Sequence, residues 1–155
     1  MNDILEALLG TFGDRVEVSE SLGQTVVRVA AAEIVSVITF LKSRGFNMLI
    51  DLTAVDHLGR EPRFDVVYQL YHLDLRAYLR LKVQVGGDEP SVPSVAHVFA
   101  AANWAERECY DMFGVVFRGH PDLKRILMPD GWKGHPLRKD YPLTGLDPLP
   151  PLVHE

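Results

Sequence analysis

Apolar positions recur at helical spacing near the N-terminus, where Ile4, Leu5, Leu8, Leu9 and Phe12 mark one side of a short amphipathic helix. The period then falls to two. Arg15 to Ser19 and Thr25 to Val29 read as the strands of a hairpin around Glu20 to Gln24. A second helix is expected from about Ala31 to Arg44, with Ile34, Val35, Ile38 and Leu41 on its apolar face and Gly45 as its stop. Three long strands follow, over 46–56, 63–71 and 75–85. In the first, Phe46, Met48, Ile50 and Leu52 form the expected core face; in the second, after a turn at Gly59 to Pro62, Phe64, Val66, Tyr68 and Leu70 do. The third sets Leu75, Ala77, Leu79, Leu81, Val83 and Val85 against Arg76, Tyr78, Arg80, Lys82 and Gln84. One face is therefore core and the other wet.

Gly86, Gly87, Pro90 and Pro93 close the strand region, and Ser94 or Asn103 is the expected cap of a helical stretch ending at Phe113 before Gly114. From Gly114 onward no period of two or 3.6 is sustained, and prolines recur at 121, 129, 136, 142, 148, 150 and 151. Proline lacks a backbone donor and holds its predecessor extended, so little regular structure is expected there. Ile126, Leu127, Met128, Trp132 and Leu137 nevertheless argue against a purely solvated linker. The fold class is thus α+β: a body over 1–113 and an extended, largely irregular arm over 114–155 that is not an independent domain. The body's sheet is expected to be mixed or antiparallel with helices mainly on one face, because the links between its long strands are too short for crossovers. The arm reads as a segment that lies on another protein, and removing it after Phe117 is expected to leave the body folded.

Composition narrows the function. At 155 residues with 47% hydrophobic and 24% charged content, the chain has ordinary globular usage and fits one domain. The single Cys109 excludes an internal disulfide, a CxxC redox pair and a self-contained four-cysteine iron–sulfur site. The first residues lack a basic region followed by an apolar one, so the protein is expected to stay in the cytoplasm. The most apolar window, Ala30 to Leu41, is interrupted by Glu33 and Ser36 and falls short of a membrane span. A net charge of -5 argues against nucleic acid as the ligand. That charge is uneven: residues 1–117 carry 10 Lys and Arg against 16 Asp and Glu, whereas residues 118–142 carry 6 against 3. An acidic body joined to a basic arm suggests interaction surfaces.

The densest functional cluster is Glu106, Arg107, Glu108, Cys109, Tyr110 and Asp111. On a helix, Arg107 and Asp111 are four apart and Glu108 and Asp111 three, so an ion pair and an acidic patch are expected on one side. An ion-paired helix surface outweighs an acid/base or metal site. His120 and His135 are too sparse for zinc, and Cys109 is read as a packing residue beside two carboxylates that disfavour a thiolate. His57, His72 and His97 read as surface residues, and no phosphate-binding glycine loop is present.

Residues 102–143, ANWAERECYDMFGVVFRGHPDLKRILMPDGWKGHPLRKDYPL, resemble the signature of the C-type subunit of respiratory complex I, the proton-pumping NADH:quinone oxidoreductase. DLTAVD (51–56), RFDVVYQLY (63–71) and LRLKVQV (79–85) extend the likeness. The resemblance implies an α/β domain with a protruding C-terminal arm, in the peripheral arm of the complex. It implies no cofactor, metal or catalytic residue in this chain; FMN, iron–sulfur clusters, NADH and quinone belong to the assembled complex. The implied partners are the quinone-site D-type subunit and the ferredoxin-like iron–sulfur subunit, at the cytoplasmic face of the inner membrane, with membrane contact only through partners. The signature and expected partner interface comprise Glu106, Arg107, Glu108, Asp111, Gly119, His120, Pro121, Lys124, Arg125, Trp132, Gly134, His135, Pro136, Arg138, Asp140 and Tyr141. Within it Arg125, Arg138 and Asp140 are the expected charged contacts, and Trp132 and Tyr141 the aromatic anchors. Two alternatives stand beside this reading. One is the same scaffold in a membrane-bound hydrogenase, a formate hydrogenlyase or a ferredoxin- or deazaflavin-linked dehydrogenase. The other is a free-standing metal-dependent hydrolase using Glu106, Glu108, Asp111 and His120.

Overall fold

A computed structural model describes residues 1–146. Helix α1 (Asn2–Phe12) buries Leu8 and Phe12 and leads into a hairpin, β1 (Val16–Ser21) and β2 (Gln24–Val29). Its turn is the two residues Leu22 and Gly23, both with positive φ (52° and 73°), the backbone twist that tight hairpins need. Helix α2 (Ile34–Ser43) follows a short 3-10 turn and fully buries Ile34, Val37, Ile38 and Leu41. Three long strands come next: β3 (Met48–Asp56), β4 (Phe64–His72) and β5 (Ala77–Val85). A short β6 (Ser91–Pro93), helix α3 (Ala102–Phe113) and β7 (Val116–Arg118) complete the regular structure among the described residues.

The sheet is mixed, in the order β1-β2-β5-β4-β3. β5 pairs antiparallel with β4 and parallel with β2, so the hairpin is added to the far side of β5. β6 and β7 form a separate parallel pair. Phe64, Val66, Tyr68 and Leu70 from β4 and Leu79, Leu81 and Val83 from β5, each at most 1% exposed, join the apolar sides of all three helices in one core. The helices thus cover one face, as the alternation implied.

Three local expectations fail. Met48 and Ile50 are 41% and 47% exposed rather than core, because the β3–β4 register shifts between Leu49 and Asp51. One inserted residue inverts the faces of the strand positions before it, whereas Phe46, ahead of β3, is fully buried. His72 is buried, not at the surface: its ring packs edge-on against Phe46 and its Nε2 donates to the Arg44 carbonyl at 3.1 Å. The apolar core also runs past residue 113, since Val115 and Phe117 are 0% and 1% exposed.

Candidate functional site

Helix α3 carries the site. It ends at Gly114, whose φ of 74° puts it in the left-handed region and whose N–H donates to the Tyr110 carbonyl at 2.8 Å. A Cβ there would come 2.5 Å from the His135 ring and 2.6 Å from the Arg138 guanidinium, so the arm crosses directly over the helix end. Neither Ser94 nor Asn103 caps the other end. Ala101 is the cap residue, and the Ser94 hydroxyl instead donates to Glu106 Oε2 at 2.6 Å, beside the Val95 N–H on Oε1 at 2.7 Å. Glu106 is fully buried, and burial raises its carboxyl above the ordinary range against the pull of those two donors.

Asp111, also fully buried, has the opposite environment. Its Oδ2 accepts the consecutive N–H groups of Ile126, Leu127 and Met128 at 3.0, 2.8 and 2.9 Å, and its Oδ1 accepts Arg125 Nη1 at 2.6 Å. Burial alone would raise this carboxyl. The Met128 amide, the Arg125 guanidinium and the Leu127 and Ile126 amides outweigh it and hold the group below its usual value. Arg125 continues to the Gly134 carbonyl at 2.9 Å, and His135 Nδ1 donates to the Asp111 carbonyl at 3.0 Å. The expected Arg107–Asp111 pair does not form: Arg107 donates to the Lys124 and Arg125 carbonyls at 3.1 and 3.2 Å and stacks on Trp104. The expected acidic patch is absent too, because Glu108 is exposed where Asp111 is buried.

A second carboxylate fixes the arm farther on. Asp56, at the end of β3, accepts both Nε and Nη2 of Arg63 at 2.7 Å and the Lys139 N–H at 2.8 Å. Arg63 also grips Asp140 at 2.7 and 2.9 Å. Between these hubs, the Leu137 N–H donates to Met112 O at 3.0 Å, Arg138 Nε donates to Phe113 O at 2.6 Å, and the Arg138 guanidinium lies over the Phe64 ring. Arg125, Arg138 and Asp140, expected to reach a partner, are therefore bound inside the chain. Sequence reasoning missed Asp56 and Arg63; the available signal was an acid at a β3 position whose alternate neighbours, Leu52 and Ala54, are core.

The remaining signature residues divide between turns and surface. His120 Nε2 lies 3.0 Å from Asn103 O and 3.9 Å from Glu106 Oε2, and its Nδ1 accepts the Asp122 N–H at 3.0 Å. Gly119 and Gly134 take positive φ, Pro121 is exposed, and Lys124 pairs with Asp122 in solvent. Trp132, Pro136 and Tyr141 line an open groove of about 410 Å³ with Met128 and Leu143. Leu127 and Leu137 are each 54% exposed, and Leu143 is fully so.

Asp111 is saturated, Glu108 points away from it, and burial pushes the Cys109 thiol up, away from a reactive thiolate. No group of three or more His, Cys, Asp or Glu that would hold a metal ion occurs among the described residues. Among the same residues, no helix is long and apolar enough to cross a membrane.

Residues 27–147 match the family model for the respiratory-chain NADH dehydrogenase, 30 Kd subunit. The chain is 48% identical over 136 residues to the C-type subunit of NADH-quinone oxidoreductase from Geotalea uraniireducens, covering 87% of this chain and 83% of that one. It is 52% identical over 132 residues to the same subunit from Geobacter metallireducens, covering 84% and 82%. Among solved structures it is similar to the trypsin-resistant fragment (1-134) of Nqo5, with 32% identity, TM-score 0.69, and coverage of 79% of this chain and 98% of that one. A chain of the membrane-bound sulfane sulfur reductase, an archaeal respiratory membrane complex, is also similar, at 25% identity and TM-score 0.74 over 92% and 85% of the two chains. The helix whose buried Asp111 organises the arm thus lies within the matched segment, and the chain belongs to the family of the respiratory-chain NADH dehydrogenase 30 Kd subunit, the C-type subunit of NADH-quinone oxidoreductase.

Proposed function

We propose that this chain is a cofactor-free structural subunit of the peripheral arm of a proton-translocating NADH:quinone oxidoreductase, supports the quinone-reducing module, and catalyses nothing by itself. The observation that carries this reading is where the signature's chemistry goes. Glu106 ties the Ser94–Val95 turn to α3, Asp111 ties residues 125–128, and Asp56 ties residue 139, so each acid holds backbone in place. What faces outward is shape: a groove beside Trp132 and Tyr141 with exposed leucines around it.

Such an arm is organised before it meets a partner. Docking then loses less conformational freedom than it would for a disordered tail, which favours affinity. The partners in this reading are the quinone-site D-type subunit, seated on the Trp132–Tyr141 groove, and the ferredoxin-like iron–sulfur subunit. FMN, the clusters, NADH and quinone are held by the assembly, at the cytoplasmic face of the membrane, which this chain meets only through partners. The likeness to a chain of the sulfane sulfur reductase complex favours a second reading, the same scaffold role with another electron donor; the relatives at about half identity favour NADH and quinone. Purification of the chain with its companions from native membranes, followed by mass spectrometry and metal and flavin analysis, tests both. The expected result is D-type and ferredoxin-like subunits in the eluate, with cofactors lost when this chain is isolated. One metal per isolated chain after dialysis, or turnover by the chain alone, would overturn the proposal.

A further inference from the structure

The helices cover one face of the sheet; the other face has no cover from the described residues. An exposed sheet face is ordinarily polar. Here β3 presents Met48, Ile50 and Val55, each at least 40% exposed, and the next strands add Tyr71 and Tyr78, whose rings meet at a tilt with centroids 4.7 Å apart. The bulge at Ile50 is what turns two of these apolar residues outward. Ile50 and Val55, together with Thr53 and Val67, floor an open groove of about 430 Å³, which Arg80 and Lys82 flank on the β5 side and Asp51 on the β3 side.

Around that floor stand two cations, Arg80 and Lys82, and one carboxylate, Asp51, whose Oδ1 accepts the Leu52 N–H at 2.9 Å. Arg80 donates to Gln69 Oε1 at 3.1 Å and meets no carboxylate among the described residues. Lys82 reaches Asp65 only at 4.0 Å, and Asp65 is already engaged by His57 at 3.2 Å and Gln84 at 3.3 Å. The Gln69 amide nitrogen is buried and has no acceptor. Its orientation is set by Arg80, which must face the amide oxygen, so a flip does not relieve it. The excess of positive charge over Asp51 and the orphan donor beside an apolar floor call for one acceptor-bearing, partly aliphatic occupant.

We infer that the uncovered sheet face is a second docking surface, for a partner-protein segment that seats an aliphatic side chain among Ile50, Val55 and Val67 and presents a carboxylate to Arg80 and Lys82. This inference rests on the reading of the chain as an assembled subunit. It uses a different face from the arm groove, so the two fail separately. The apolar floor favours a peptide over a free anion, and the charge pattern selects an acidic one.

The test replaces the resident chain with full-length variants in cells and follows co-purification of partner subunits from membranes. Arg80→Glu combined with Lys82→Glu should reduce recovery by about tenfold or more while the purified variant melts like the parent, and the charge-preserving Arg80→Lys should retain it. A photo-crosslinking residue at Val55 in the otherwise unaltered chain should capture a partner segment containing Asp or Glu, and this arm of the test decides the matter if the charge-reversed chain fails to fold. Normal recovery of the charge-reversed variant overturns the inference, as does a Val55 crosslink to a second copy of this chain or to no protein. Failure of the unaltered chain to co-purify with anything would instead sink the subunit reading itself.

Discussion

β4 and β5 cohere through apolar burial shared among many side chains: Val66, Tyr68, Leu70, Leu79, Leu81 and Val83 are all inaccessible to solvent. The arm coheres differently, for no residue from 118 to 146 is buried. It is fastened at two points, where the carboxylates of Asp111 and Asp56 collect donors from Arg125 through Lys139. Spread burial tolerates a single loss, since each side chain contributes a few kcal/mol at most. Concentrated fastening does not, because each lost partner leaves a buried charge uncompensated.

Truncation after Phe117 should have the largest effect. It strips the arm's donors from both carboxylates and leaves Asp56 with Arg63, so the remaining body should lose its cooperative thermal transition or melt far below the full chain. A truncated body melting like the full chain would erase the difference between the regions. Next is Asp111→Asn, which removes the charge and sets an NH2 donor against either the Arg125 guanidinium or the three backbone amides; the expected loss is about 3–5 kcal/mol by chemical denaturation. Because the folded carboxyl lies below its unfolded value, its contribution is complete above the unfolded pKa and disappears as pH falls through the folded one. The parent should therefore destabilise in strong acid with a component that Asp111→Asn lacks.

Gly114→Ala should destabilise by about 2 kcal/mol, combining left-handed backbone strain with displacement of His135 and Arg138. Its signature is loss of protease resistance in the arm before the body melts. Glu106→Gln should be milder, within about 1 kcal/mol, because a neutral amide can still accept from Val95 and donate to Ser94. Here the linkage reverses: the raised carboxyl contributes fully below its unfolded pKa and loses that contribution as pH rises through the folded value. Glu106→Gln should flatten that slope. Lys124→Ala, in the solvent pair with Asp122, should leave the melting midpoint unchanged.

The same contrast decides what the sequence made legible. Alternation in β4 and β5 directly reports which side is buried, since a strand's period is local. It fails in β3 because a bulge is specified by pairing with β4, and nothing around Ile50 marks it. The lack of regular structure in the arm follows from its prolines. Its return to the body does not, because the Asp56–Lys139 bond joins residues 83 apart and no local spacing encodes it. Asp111 stands out within the family signature, yet helical spacing assigns it to Arg107. Three consecutive amides and a second arginine outcompete that pairing, and they come from beyond the helix.

In the proposed role this subunit serves the enzyme by being docked, not by reacting. Leu143→Asp alters only a fully exposed position lining the arm groove, so the purified variant should melt like the parent. Placed in cells lacking the resident chain, it is assayed in membranes for both recovery of partner subunits and NADH-driven quinone reduction. Assembly and activity should fall together. Normal assembly with lost turnover would assign chemistry to this chain, and undiminished quinone reduction without docking would show that the enzyme does not need it.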